Sequence, residues 1–403
     1  MKHGYLLASQ IIMVGVSGIT TLAASRTLGL GARGVLALAL QLAYIGVILV
    51  ILGSERALSI VWPGGRPTRK YWGVATVIWI PFALCTGVVV VLSALVLLRV
   101  SNGSLLDEID GTMVLVLGLA LYRVIRAVYV SSGQLRQVLT LTLVTQCPLC
   151  GLVIGLFFVP SMSHSATIWI WLNAVAMFVP MAIIVVRDLR RRDFGYAEAR
   201  DKRSSLRRTS WQLLIPTLAN VMALRSDRLL LPLLSSTKEL GLYITFATIG
   251  EVGVVPLQTI LEGELPSWSS DPGSTRTRLV ALALVGASIV AGGAVYVGSQ
   301  MTLLILPAAY RQAAVIIPYL AAACTVYGLG RVIMTLILAR RAVKAVARIE
   351  TAGVVAAVIL YFALIPRWEA TGAAVASLIA YAMTAVAAGV VLRMLIAAER
   401  ESN

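Results

Sequence analysis

Arg225, Asp227 and Arg228 stand inside one apolar run, NVMALRSDRLLLPLL, and Glu251 stands near the middle of the next. Only the short polar turn Ser235–Glu239 separates the two runs. Ionisable groups within apolar segments of this length are costly unless they meet a partner or a cavity, which makes them functional suspects. Arg123 and Arg126 form a second set. At 1.5 Å per residue Arg123 lies about 16 Å into a hydrocarbon core of about 30 Å, and Arg126 follows about one turn on. Their spacing of three puts them on one helix face. The planar fork of arginine matches phosphate and diphosphate oxygens, so several buried arginines turned to one cavity would hold a diphosphate. Plainer readings stand beside this one. Arg228 pairs with Asp227 or another acid, and Arg56 and Arg331, near the ends of their runs, snorkel to the surface. Glu251 either carries a coupling proton or cation, or neutralises an arginine.

Catalytic machinery is missing from the pattern. The two histidines, His3 and His164, both fall near the ends of apolar runs, and there is no Gly-rich nucleotide loop. Cys147 and Cys150 have metal or redox spacing, but they lack a second pair and lie in an apolar run beside Pro148. The longest expected outer loop, around residues 99–111, is short for the acceptor-binding groups of a membrane glycosyltransferase or polymerase. The expectation is therefore a protein that is not an enzyme, with no cofactor and no metal.

The elements that position these charges follow from hydropathy. Of the 403 residues 59% are hydrophobic and 13% charged, a balance that leaves no polar shell for a soluble domain. Runs of 18 or more apolar residues recur from end to end, each long enough for a membrane helix. The spans expected are Tyr5–Ser25, Val35–Gly53, Gly73–Leu98, Thr112–Val130, Val138–Phe158, Ala166–Val186, Trp211–Leu231, Leu240–Leu261, Leu279–Leu306, Ala313–Leu338, Ile349–Ile365 and Gly372–Ile396. The fold class is all-α and polytopic, with about twelve transmembrane helices in two six-helix lobes. Residues 1–186 form the first lobe, 187–210 a basic cytoplasmic linker and 211–403 the second lobe. Lys and Arg concentrate in alternate loops, so the net charge of +16 reads as a topology signal rather than a nucleic-acid surface. The same asymmetry places both termini in the cytoplasm. Gly34, Gly46 and Glu55 recur in spacing as Gly241, Gly253 and Glu262, which suggests duplicated halves. Gly372, Ala376, Ala380 and Thr384 make a small-residue strip suited to close helix contact.

The run SDRLLLPLLSSTKELGLYITFATIGEVGVVPLQTILEGELPSW resembles the seventh and eighth spans of Wzx-type oligosaccharide and polysaccharide flippases. These belong to the multidrug/oligosaccharidyl-lipid/polysaccharide exporter superfamily. The resemblance is carried by Asp227–Leu231, Gly241–Tyr243 and Pro266. In the opening hairpin Arg26, Leu28, Gly29 and Gly34 carry it, as ATGAAVAS does at Ala370–Ser377. The segment ERALSIVWP, Glu55–Pro63, is similar to lipid II flippases, although the two further spans usual in those proteins are not found.

The resemblance implies two lobes around a central cationic cavity, in a bacterial inner membrane. Alternating access would carry a polyprenyl-diphosphate oligosaccharide to the outer leaflet for surface polysaccharide biosynthesis. It adds Arg26 to the substrate-binding candidates Arg56, Arg123, Arg126, Arg225, Asp227 and Arg228, and leaves Glu251 as the coupling-ion candidate. Membrane lipids, a coupling proton or cation and other polysaccharide-assembly proteins are the implied partners. The alternatives are a multidrug or cation antiporter of the same superfamily and, further off, a membrane glycosyltransferase or polymerase.

Overall fold

The computed structural model describes residues 2–62, 105–158, 164–189 and 196–402. Among them every regular element is helical. In chain order these are α1 (Lys2–Thr27), α2 (Leu30–Ile51), α3 (Ser54–Val61), α4 (Leu105–Ser131), α5 (Leu135–Phe157) and α6 (Ala166–Leu189). There follow α7 (Tyr196–Leu234), α8 (Thr237–Ser270), α9 (Thr275–Ile305), a 3-10 turn (Ala308–Val315), α10 (Ile317–Ala339) and α11 (Val343–Ser402). Nine of the described helices are long and apolar enough to cross a membrane. The expected all-helical polytopic class therefore holds. The third expected span, Gly73–Leu98, lies outside the described residues. The tenth begins at Ile317 rather than Ala313, because the chain before it winds as the 3-10 turn and Pro318 sits in the first helical turn.

Helix is imposed by the solvent, since hydrocarbon offers no partner for a backbone amide. α9 shows the side-chain consequence. Six of its eight buried positions, Thr277, Ala281, Ser288, Gly292, Ser299 and Thr302, are small or hydroxylic. Leu282, Val290, Val297 and Leu304 on its other side are more than half exposed. Large aliphatic groups outside and small groups inside is the pattern of a helix packed in lipid.

The chain divides into two compact units, Met1–Val221 and Met222–Asn403. In the first unit α4 packs against α2 and α6, and α1 against α5. A Cβ on Gly118 of α4 would come within 2.8 Å of the Phe178 amide on α6, so glycine sets that approach. α2 ends at Leu52 and Gly53, both with positive φ (51° and 71°), and α3 starts at once. Glycine is required twice at position 53, for its φ and because a Cβ would meet the Ser210 carbonyl of α7 at 3.0 Å. His164 Nδ1 meets the carbonyl of Thr27 at 2.7 Å, satisfying an orphan acceptor in the last turn of α1.

In the second unit α10 is central and packs against α8, α9 and α11. α11 is a hairpin in disguise. Glu369 breaks its helical geometry (φ 50°, ψ −128°), and Tyr361 bonds Ser377 across the break at 2.9 Å. Gly353 lies against Thr384, and Gly372 against Leu364. Partners recede symmetrically from Glu369, so the arms are antiparallel and correspond to the eleventh and twelfth expected spans. Ala376 and Ala380 of the small-residue strip are buried. Ser236 caps α8 by accepting from the Glu239 amide (3.3 Å), and the Glu239 carboxylate accepts from the Ala370 amide (3.3 Å) just past the break.

Gly118→Val should cost about 1–3 kcal/mol by overpacking the α4–α6 contact. Gly293→Val, where a Cβ would meet nothing within 4 Å, should be nearly neutral. Melting temperatures of the two purified variants in one detergent check the difference.

Candidate functional site

In the second unit the four charges singled out in the sequence converge. Arg225, Asp227 and Arg228 come from α7 and Glu251 from α8. Glu251 Oε1 receives two guanidinium groups, Arg228 Nη2 at 3.0 Å and Arg225 Nη2 at 3.4 Å. Asp227 is engaged differently. Its Oδ1 accepts from the Arg228 amide (2.8 Å) and its Oδ2 from the Tyr243 hydroxyl (2.7 Å). Asp227 and Arg228 are 6% and 3% exposed, so neither has bulk water as an alternative partner.

Backbone directions explain the convergence. α7 and α8 form a hairpin about Ser235, from which Asp227 and Tyr243 are each eight residues distant. Glu251 lies six residues, about 9 Å, deeper on α8 than the position opposite Arg225. Helical side chains lean towards their own N-terminus, so those on α7 slant inward and those on α8 slant outward. A long guanidinium arm and a glutamate leaning the other way close that gap.

A cavity of about 220 Å³ opens beside the cluster. Arg225, Asp227, Arg228 and Glu251 line it, with Tyr243 and Gln258 of α8, Cys324 and Tyr327 of α10, and Ser377 and Tyr381 of α11. Gln258 Nε2 donates to the Tyr327 hydroxyl (2.8 Å), and the Tyr327 and Tyr381 rings meet edge to face at 5.0 Å. The Nε–H of Arg228 is buried and has no partner among the described residues. A cavity that presents two guanidinium groups and an idle donor can take an anionic oxygen. One turn beyond Tyr327, Arg331 pairs with Glu350 of α11 at 2.8 Å, which gives it a structural partner rather than a snorkelling role.

The first-unit candidates do not gather in this way. Arg123 of α4 pairs with Glu55 of α3 at 3.6 Å, each about a quarter exposed (25% and 23%). Arg126 is half-buried on the same helix, and Arg26 is exposed in the last turn of α1. Arg56 follows Glu55 in α3, and its side chain is outside the described part of the structure. Sequence reasoning missed Arg33, which is 3% exposed in the first turn of α2 and donates from Nε to Ser25 at 3.3 Å. It also missed the tyrosine and glutamine wall of the cavity. The signal was present on α8, where Tyr243, Ala247, Glu251, Val254 and Gln258 recur every three or four residues.

No family model and no curated protein matches the chain. Solved structures do. A multidrug resistance MATE family transporter of the MOP superfamily, in an inward-facing conformation, superposes with a TM-score of 0.71 at 11% identity, over 100% of this chain and 96% of that one. The lipid II flippase MurJ, in an inward closed conformation, gives 0.65 at 12% identity, over 95% and 86%. An outward-facing MATE family transporter gives 0.56 at 13% identity, over 99% and 97%. The chain thus shares the two-lobed helical fold of MATE and MurJ transporters, and at these identities the likeness is one of fold.

Tyr243→Phe should leave the buried Asp227 Oδ2 without its donor and cost about 1–3 kcal/mol. The expected result is a lower melting temperature for the purified protein, and an unchanged one would mean that the bond carries no stability.

Proposed function

We propose that the chain is a membrane flippase that moves a polyprenyl-diphosphate-linked oligosaccharide to the outer leaflet by alternating access, for surface polysaccharide assembly. The observation that carries the reading is the pair Arg225 and Arg228 on a cavity wall, with a buried Arg228 donor left idle. Buried guanidinium forks on a cavity suit a diphosphate, the feature shared by lipid-carried sugars whatever the glycan. The likeness in fold to a lipid II flippase adds support. In this reading Arg26, Arg56, Arg123 and Arg126 contribute positive charge along the substrate's route, Asp227 fixes Arg228, and Glu251 is the coupling candidate. The protein sits in a bacterial inner membrane with both termini cytoplasmic, among polysaccharide-assembly proteins.

A second reading, export of organic cations, has its own observation. Asp227, Glu251, Tyr327 and Tyr381 line the same cavity, and carboxylates and aromatic rings suit a cation. The likeness to multidrug MATE transporters points the same way.

One experiment separates them. Expression in a strain lacking its own oligosaccharide flippase should restore surface glycan. Arg225→Ala and Arg228→Ala should each abolish that rescue while inserting normally. Rescue by both variants would remove the assigned site. Efflux of ethidium without any glycan rescue would favour the cation reading.

A further inference from the structure

Glu251 occupies the position that an anionic ligand would need. Both guanidinium groups that could grip such a ligand already meet one carboxylate oxygen, Glu251 Oε1, at 3.0 and 3.4 Å. Arg225, Arg228, Asp227 and Glu251 sum to zero charge when all four are ionised. Adding an anion to that neutral group would leave uncompensated negative charge in a site of low dielectric constant, which is strongly opposed. Neutralising one carboxylate removes the obstacle.

The two carboxylates differ in how far they are committed. Asp227 is tied at both oxygens, to an amide and to a tyrosine hydroxyl, neither of which an incoming anion would use. Glu251 is tied through the very groups an anion would take, and it is about one-third exposed (35%) on the cavity wall. We propose that Glu251 is a built-in counter-ion that an anionic ligand displaces, so that the anion binds Arg225 and Arg228 as Glu251 takes up one proton. The anion replaces the carboxylate on the two guanidinium groups and engages the idle Nε–H of Arg228. The proton stays on the Glu251 carboxyl until the anion leaves. The inference deepens the flippase reading and rests on its premise that the ligand of this site is anionic.

Among the described residues few other groups bear on Glu251. From α7 these are Arg225, Asp227 and Arg228, from α8 Tyr243, from α10 Cys324 and Tyr327, and from α11 Tyr381. α9 reaches this level with Ala291 and Val295, which are apolar. Thiol and phenol groups ordinarily lose their protons only above about pH 8, so below that the two carboxylates are what can titrate.

The test is binding of radiolabelled dimethyl phosphate to the purified protein in nanodiscs between pH 8 and pH 5. Dimethyl phosphate remains a monoanion throughout, so any pH dependence belongs to the protein, and one proton balances its charge. The dissociation constant should fall as pH falls, by up to tenfold per unit where Glu251 takes up its proton. Glu251→Gln should bind the anion more tightly and flatten the dependence, and Arg225→Gln with Arg228→Gln should abolish binding. The wild-type series needs no variant, so a poorly folding Glu251→Gln leaves the test intact. The proposal is overturned by pH-independent binding, by binding that tightens as pH rises, by a slope kept in Glu251→Gln, or by no binding at any pH. Anion binding with the expected slope but no glycan rescue would discard the lipid-linked oligosaccharide and keep the displacement. Rescue without that slope would do the reverse.

Discussion

Charge neutrality inside an apolar bundle is the constraint on which the second unit depends. A lone arginine or aspartate at mid-membrane costs about 2.5–3.5 kcal/mol even on insertion scales, the mildest available. Four such groups are tolerable only as a set, and within the set each one finds a partner. Glu251 serves both arginines, and Asp227 is held by Tyr243 and the Arg228 amide. Such a cluster adds little net stability over a well-packed apolar core, because desolvation consumes most of the Coulomb gain. Its presence therefore asks for a reason other than holding the helices together, and a cavity beside it supplies one.

The surrounding helices serve that constraint by keeping backbone polarity internal and by approaching closely. Gly118, Gly253 and Gly372 allow contacts that a Cβ would block, and α9 turns its small residues inward. The break at Glu369 folds α11 back so that Ser377 and Tyr381 reach the cavity from one arm while Tyr361 supports Ser377 from the other. Glu239 ties that break to the start of α8, the helix that carries Glu251.

Much of this was legible in the sequence because membrane helices advertise themselves by length. The hairpin of α7 and α8 could be read from Ser235–Glu239, and its four charges stood out by their cost. What was not legible depended on tertiary geometry. Arg33 lies in GLGARG, which reads as a loop before a span, whereas α2 already begins at Leu30 and buries it. The pairing of Arg331 with Glu350, nineteen residues apart on separate helices, has no periodicity to betray it. Arg123 and Arg126 share a face as their spacing requires, yet Glu55 claims the first of them. A face can be read from spacing; a partner on another helix cannot.

Cavity size sharpens what the second unit is able to recognise. Pockets that enclose drug-sized ligands run to about 300–1,000 Å³, and this one holds about 220 Å³. Its walled part matches a charged group in size and opens to its surroundings. In the proposed reading the cluster therefore senses the phosphate linkage, which every polyprenyl carrier shares, and leaves the glycan to be accommodated elsewhere. Two arginines and one displaceable carboxylate suffice for that task, because a linkage has charge and geometry but no sugar identity to be read. The same economy weighs against the organic-cation reading. Organic cations would have to detach carboxylates already satisfied by Arg225, Arg228 and Tyr243.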